Sequence, residues 1–176
     1  MFTFYNNLYS LKIIITGPES SGKTTLASWI ALEYQWCLVP EFAREYLKQN
    51  DGKYLEHDLI MMALLQRWDE KCISDRCGNV VCDTDILTII IWQLEKYGGI
   101  DPSIWAQWKD EKHKWYLLCK PDMPWEEDPL RENPDDRDRL FNKYHQFLLD
   151  NNKQFTIISG SLENRKHQVT QLLSGN

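Results

Sequence analysis

The chain has 176 residues, of which 43% are hydrophobic and eight are Trp, enough for one packed α/β domain and too few for a second folded unit. A net charge of −6 argues against a general nucleic-acid surface, which needs a basic stripe to displace counterions, and weakly favours a cationic small-molecule partner. Residues 1–10 lack the basic and apolar blocks of a signal peptide, and the longest apolar stretch, residues 86–92, is far below the roughly 20 residues that cross a bilayer, so no membrane role is expected.

After that ten-residue lead-in, residues 11–16 form a β-branched block suited to a strand buried on both faces. Next comes Gly17-Pro18-Glu19-Ser20-Ser21-Gly22-Lys23-Thr24-Thr25, which fits G-x-x-x-x-G-K-[ST]. Leu26, Trp29, Ile30 and Tyr34 then recur at helical spacing over residues 24–35. A phosphate-binding loop works in this strand-to-helix setting, because its N–H groups and the helix dipole converge on one anion. Gly17, Glu19, Ser20, Ser21, Gly22, Lys23, Thr24 and Thr25 are therefore the expected nucleotide-binding residues. Lys23 should reach the β- and γ-phosphates and Thr24 should ligate Mg²⁺.

A second strand, 36–39, leads into Pro40-Glu41-Phe42-Ala43-Arg44 and a helix over 43–49. Ligands gather at the carboxyl ends of parallel strands. Glu41 is therefore the candidate base and Arg44 a candidate substrate contact, although a solvated Glu/Arg pair fits the spacing equally. On the long helix 55–75, Leu59, Met62, Gln66 and Ile73 share a face, and Gln66 interrupts that apolar line. Its amide needs a partner, a bound ligand or a neighbouring backbone, and Trp68, about 200° around the helix, is then expected in the core.

The third strand, 79–82, ends in Asp83-Thr84-Asp85 and opens a helix over 84–97. Asp83 reads as a carboxylate that holds Mg²⁺ with Thr24, or as a helix N-cap. Asp85 could point across the cleft toward a ribose diol or a positive ring, although from the residues alone the preferred reading is a first-turn carboxylate favoured by the helix dipole. A helix over 102–112 and a strand over 114–119 follow. Residues 121–138 hold four prolines and a dense acidic run and are expected to form a lid-like flap. Arg131 and Arg137 within it can close over transferring phosphate, whereas Arg139 suits a salt bridge. Helices over 135–151 and 162–173 flank the last strand, 155–158. The five cysteines show no C-x-x-C pair and read as reduced thiols of a cytoplasmic protein.

Strands alternating with helices predict a parallel sheet with crossover helices; with the phosphate loop the chain resembles the P-loop NTPase class, which implies a three-layer α/β/α sandwich with a five-stranded parallel sheet in the order 2-3-1-4-5, and a lid. One such domain spans residues 1–176.

Taken together, Gly17 to Thr24, Val39-Pro40-Glu41-Phe42-Ala43-Arg44-Glu45-Tyr46, Cys82-Asp83-Thr84-Asp85 with Leu87-Thr88, and Pro124-Trp125-x-x-Asp128-x-x-Arg131 resemble the ribosylnicotinamide kinase domain of NadR-type proteins over roughly residues 11–170. The resemblance implies transfer of phosphate from ATP with Mg²⁺ to the 5′-hydroxyl of nicotinamide riboside. It makes Lys23, Glu41, Asp83, Arg131 and Arg137 catalytic candidates, and Glu41, Arg44, Gln66, Asp85 and Asp128 substrate candidates. Multidomain relatives carry an adenylyltransferase domain ahead of the kinase, so a stand-alone kinase is expected here. Asp83-Thr84-Asp85 also stands where deoxynucleoside kinases show Glu-Arg-Ser and thymidylate kinases Asp-Arg-Tyr, which disfavours an acceptor already carrying phosphate. A kinase for another nucleoside or nucleoside monophosphate, and a nucleotide-hydrolysing regulatory switch, are the alternatives. Homo-oligomerisation is left open.

Overall fold

The computed structural model describes residues 11–109, 114–131 and 135–175. Its elements follow in chain order: β1 (Lys12–Thr16), α1 (Lys23–Tyr34), β2 (Cys37–Val39), α2 (Phe42–Gln49), α3 (Glu56–Ser74), β3 (Val80–Asp83), α4 (Ile86–Lys96), α5 (Pro102–Lys109), β4 (Lys114–Cys119), α6 (Arg137–Asp150), β5 (Phe155–Ile158) and α7 (Leu162–Ser174). The strands pair in parallel in the order β2-β3-β1-β4-β5, the order expected from the sequence.

The isoleucine run of β1 shows why the strand lies in the middle. Ile13, Ile14 and Ile15 are wholly buried, but Ile14 joins one core while Ile13 and Ile15 join the other. A period of two sends alternate side chains to opposite faces, so a continuous apolar run requires cover on both. Helices α2 to α6 supply one cover, and α1 and α7 the other. Burying each isoleucine contributes roughly 1.5–3 kcal/mol before the entropy of ordering is subtracted.

Several boundaries differ from the expected ones for identifiable reasons. Helix α4 begins at Ile86 rather than Thr84, because Thr84 takes a left-handed φ of 68° and Asp85 caps the helix by accepting the Leu87 N–H. At α3, Asp58 reaches back to accept the Leu55 N–H at 2.7 Å, half of a capping box. Of the expected helix 102–112, residues 110–112 lie outside the described residues, as do residues 132–134 of the expected flap. Among the described residues no helix is long and apolar enough to cross a membrane.

The cysteine reading needs correction. Cys37 at the start of β2 and Cys77 in the loop before β3 form a disulfide, while Cys72, Cys82 and Cys119 are free. Pairing of β2 with β3 places Cys37 opposite Val80 and brings together thiols 40 residues apart in sequence, a contact that local spacing does not reveal.

Candidate active site

The phosphate loop links β1 to α1 at the carboxyl edge of the sheet. Gly17 has a φ of 134°, and a Cβ there would lie 2.6 Å from the Cys119 carbonyl oxygen, so only glycine fits. Gly22 is left-handed and caps α1. Inside the loop Lys23 Nζ and Ser21 Oγ both donate to the Pro18 carbonyl, at 2.6 and 2.8 Å.

Beside the loop, pairing of β1 with β3 sets Asp83 opposite Ile15. Asp83 is buried and its carboxylate accepts a hydrogen bond from Thr24, while its Oδ1 has no partner among the described residues. Burial raises its pKa against the opposing pull of Thr24, Lys23 and Arg44. A buried carboxylate oxygen left open beside a threonine hydroxyl is the hard oxygen set of a Mg²⁺ site, which needs only one or two carboxylates when phosphate supplies the remainder. No cluster of three or more His, Cys, Asp or Glu residues able to hold a metal occurs among the described residues.

From the loop a cleft of about 340 Å³ extends between α2, α4 and the flap. Glu41 and Arg44 line it, as do residues 17–25 of the loop and Arg131 of the flap. Burial pushes the Glu41 pKa up to about 7; Lys23 and Arg44 oppose the rise, while Asp83 and Glu19 add to it. Arg44 pairs with Asp128, not with Glu41. Asp128 also accepts the Leu130 N–H, and that bond together with Arg44 holds its carboxyl below the usual range.

The flap is fastened to the phosphate loop through Ser20. The Ser20 hydroxyl accepts from the Glu126 N–H at 3.0 Å and from Arg131 at 3.3 Å, and the Ser20 carbonyl accepts from Arg137 at 3.1 Å. Both guanidinium groups lie under 6 Å from the centre of the Trp125 ring, within cation–π range. Arg139 bridges Glu95 and Asp136 instead, in line with its expected role.

Two expectations about substrate contacts change. Asp85 does not line the large cleft. One oxygen accepts the Leu87 N–H, and the other accepts from Lys114 Nζ at 2.9 Å and Tyr116 Oη at 2.8 Å, so its carboxylate is spent on the helix cap and a buried ion pair. Gln66 is buried as expected, yet its Oε1 accepts the Phe42 N–H at 2.8 Å and its side chain faces a second cavity of about 10 Å³ behind Glu41. Trp68, expected in the core, is 63% exposed, because α3 turns its Gln66 face inward and the opposite face to solvent.

Sequence reasoning missed the apolar half of the cleft. Tyr54 and Trp92 stack with centroids 5.7 Å apart and planes at 25°, and both line the cleft beside Thr88, Ile91 and Tyr144. Thr88, Ile91, Trp92 and Glu95 follow the i, i+3, i+4, i+7 pattern of one helix face. That face was hidden because α4 also buries Ile86, Leu87, Ile89 and Ile90, leaving no polar stripe to mark a ligand side. Glu95 at the cleft mouth is held down to about 2 by Arg139 and Lys143.

A family model described as an AAA domain matches residues 12–165. The trifunctional NAD biosynthesis/regulator proteins NadR of Salmonella typhimurium and of Escherichia coli are each 27% identical over 153 residues, which is 81% of this chain and 37% of theirs. The chain thus spans little more than a third of the curated relatives it matches. Among solved structures, a NadR protein in complex with NAD and AMP-PNP superposes with a TM-score of 0.72 at 19% identity, over 94% of this chain and 49% of that one. A NadR protein in complex with NR gives 0.70 at 18%, over 94% and 51%. Deoxyadenosine kinase from M. mycoides, with dCMP and a flexible dCDP bound, gives 0.66 at 15%, over 94% and 100%. At these identities the likenesses establish a shared fold.

Proposed function

The chain belongs to this AAA-domain family, and on that premise we propose that it is an ATP-dependent nucleoside kinase that phosphorylates the 5′-hydroxyl of nicotinamide riboside. The observation that carries the reading is the position of Glu41. This carboxyl, with a pKa near 7, lines the same cleft as the phosphate loop and the Tyr54–Trp92 wall. A general base is most effective when its pKa lies near the working pH.

In this reading the γ-phosphate of ATP lies against Lys23 and the loop N–H groups. The acceptor's ring packs on the aromatic wall, and its hydroxyl points at Glu41. The hydroxyl oxygen forms a bond to γ-phosphorus as the bond to the β,γ-bridging oxygen breaks; ADP leaves, and the hydroxyl proton passes to Glu41. Mg²⁺, held by Thr24 and Asp83, would offset phosphate charge when bound. Arg131 and Arg137, already anchored over Ser20, can turn toward the transferring group, and closure of residues 121–138 as a lid would exclude water. Arg44 and Asp128 set the wall beside the acceptor, whereas Gln66 and Asp85 support the site from behind.

Nicotinamide riboside is favoured as acceptor on two grounds. Its pyridinium is a flat cation, suited to the Trp92 face of the wall, whose Tyr54 ring already carries a cation, Lys96 Nζ at 4.0 Å from its centre, and the curated relatives are NAD biosynthesis proteins. A nucleoside panel assayed for ADP release with ATP and Mg²⁺ tests the reading. Nicotinamide riboside is expected to give the fastest turnover. Strong turnover of another nucleoside or of a monophosphate without it would replace the acceptor, and ATP hydrolysis indifferent to every nucleoside would replace the kinase by a switch.

A further inference from the structure

Arg165, in the first turn of α7, is wholly buried, yet the reaction outlined above does not use it. Its guanidinium donates to three backbone carbonyls and one carboxylate, drawn from three different stretches around the nucleotide end of the site. Nε donates to Gly160 O, after β5, and NH1 to Ser21 O, in the phosphate loop. NH2 donates to Lys120 O and Asp122 Oδ1, both after β4. Asp122 closes the ring with its second oxygen, which accepts the Gly160 N–H at 2.7 Å.

The Ser21 contact has a direct consequence for phosphate binding. A trans peptide is planar, so its C=O and N–H point in opposite directions. With the Ser21 carbonyl turned onto Arg165, the Gly22 N–H of the same peptide faces away from Arg165, and Gly22 is one of the residues that line the cleft. The donor that a phosphate oxygen needs is thereby oriented by a side chain 144 residues away in sequence. A lysine has the charge but not the planar fork of donors, so it cannot hold three loops at once.

We propose that Arg165, braced by Asp122, is the positioning residue of the donor half of the site: it fixes the Ser21–Gly22 peptide and the loop after β5 relative to each other, and so sets affinity for a nucleoside triphosphate without touching the acceptor. The proposal rests on the donor half of the reading above and not on the identity of the acceptor.

The test is calorimetric titration of wild type, Arg165→Lys and Asp122→Asn with AMP-PNP and Mg²⁺, and separately with nicotinamide riboside, with thermal unfolding of each. Arg165→Lys should weaken AMP-PNP binding about tenfold or more, the loss expected from one or two charge-assisted hydrogen bonds, and leave riboside binding within about twofold. Asp122→Asn keeps an acceptor for the Gly160 N–H and should weaken AMP-PNP by about threefold. A folded Arg165→Lys protein with wild-type AMP-PNP affinity overturns the proposal, as do equal losses for nucleotide and riboside. If Arg165→Lys does not fold, Asp122→Asn decides in the same way. Should wild type bind no riboside, the acceptor reading fails while the AMP-PNP arm still tests Arg165.

Discussion

The Gln66 carboxamide oxygen accepts the Phe42 N–H at 2.8 Å, so a side chain of α3 holds the residue next to Glu41. The bond reaches across 24 residues and ties the entry of α2 to α3. Its other atom, Nε2, is buried without a partner among the described residues.

Gln66→Leu should therefore act on Glu41 and not on substrate affinity. We expect a fall in kcat of about tenfold with KM little changed, and a loss of about 1–3 kcal/mol in urea unfolding from the stranded Phe42 N–H. A rise in KM at constant kcat would return Gln66 to direct substrate contact.

Glu41→Gln should lower turnover by about 10²- to 10⁴-fold while nucleotide affinity holds. The same change should stabilise the protein at alkaline pH. A carboxyl whose folded pKa is raised from 4.5 to about 7 binds more protons folded than unfolded between those values, so its contribution to stability falls as pH rises through that window and stays lost above it. Because Glu41 faces the cleft, the gain on removing it is about 1–3 kcal/mol at pH 8, vanishing near pH 4. Thermal unfolding of both proteins at the two pH values reads it, and in wild type kcat/KM should rise as pH passes about 7.

Asp83→Asn tests the metal set. Replacing one charged oxygen beside Thr24 should raise the Mg²⁺ concentration for half-maximal activity by about tenfold. Unchanged Mg²⁺ dependence would leave Asp83 as a hydrogen-bond partner of Thr24 alone.

Lys114 sits between two buried carboxylates, 3.1 Å from Glu70 and 2.9 Å from Asp85. Burial works against its charge, but Asp85 and Glu70 hold its pKa above the ordinary lysine value. Lys114→Met leaves the buried Asp85 carboxylate with only the neutral donors Leu87 N–H and Tyr116 Oη among the described residues and should cost up to about 3–5 kcal/mol in denaturant unfolding. An effect below 1 kcal/mol would mean that Lys12 and Arg67, which also face Glu70, take over the pairing, by the same reasoning.

Reduction of the Cys37–Cys77 bond should lower the unfolding midpoint. Releasing a loop of this span removes up to about 4 kcal/mol of constraint on the unfolded chain. Cys37→Ser should match the reduced wild type and be insensitive to dithiothreitol.

Local chemistry made much of the molecule readable. Gly17 to Thr25 could be placed because the loop needs glycines where the backbone crowds Cys119 and because strand and helix periods change on either side of it. Alternation made the sheet parallel, since parallel neighbours require crossovers, and its strand order was legible only through the likeness to the P-loop class. Glu41, Arg44 and Asp83 could be named because each stands at a strand's carboxyl end or just past it.

What the sequence determined by itself was thus the donor loop, the layers and the residues at the sheet's carboxyl edge, all set by contacts a few residues long. Tertiary structure alone decided which way those residues face. Asp85, two positions from Asp83, turns inward because Lys114 and Tyr116 of β4 lie beneath it. Tyr54 and Trp92 become one aromatic wall, Cys37 meets Cys77, and Arg165 reaches the phosphate loop. Each pairs groups at least 38 residues apart, and no period or spacing encodes such a pairing, because it arises only when the sheet order brings distant segments to one edge.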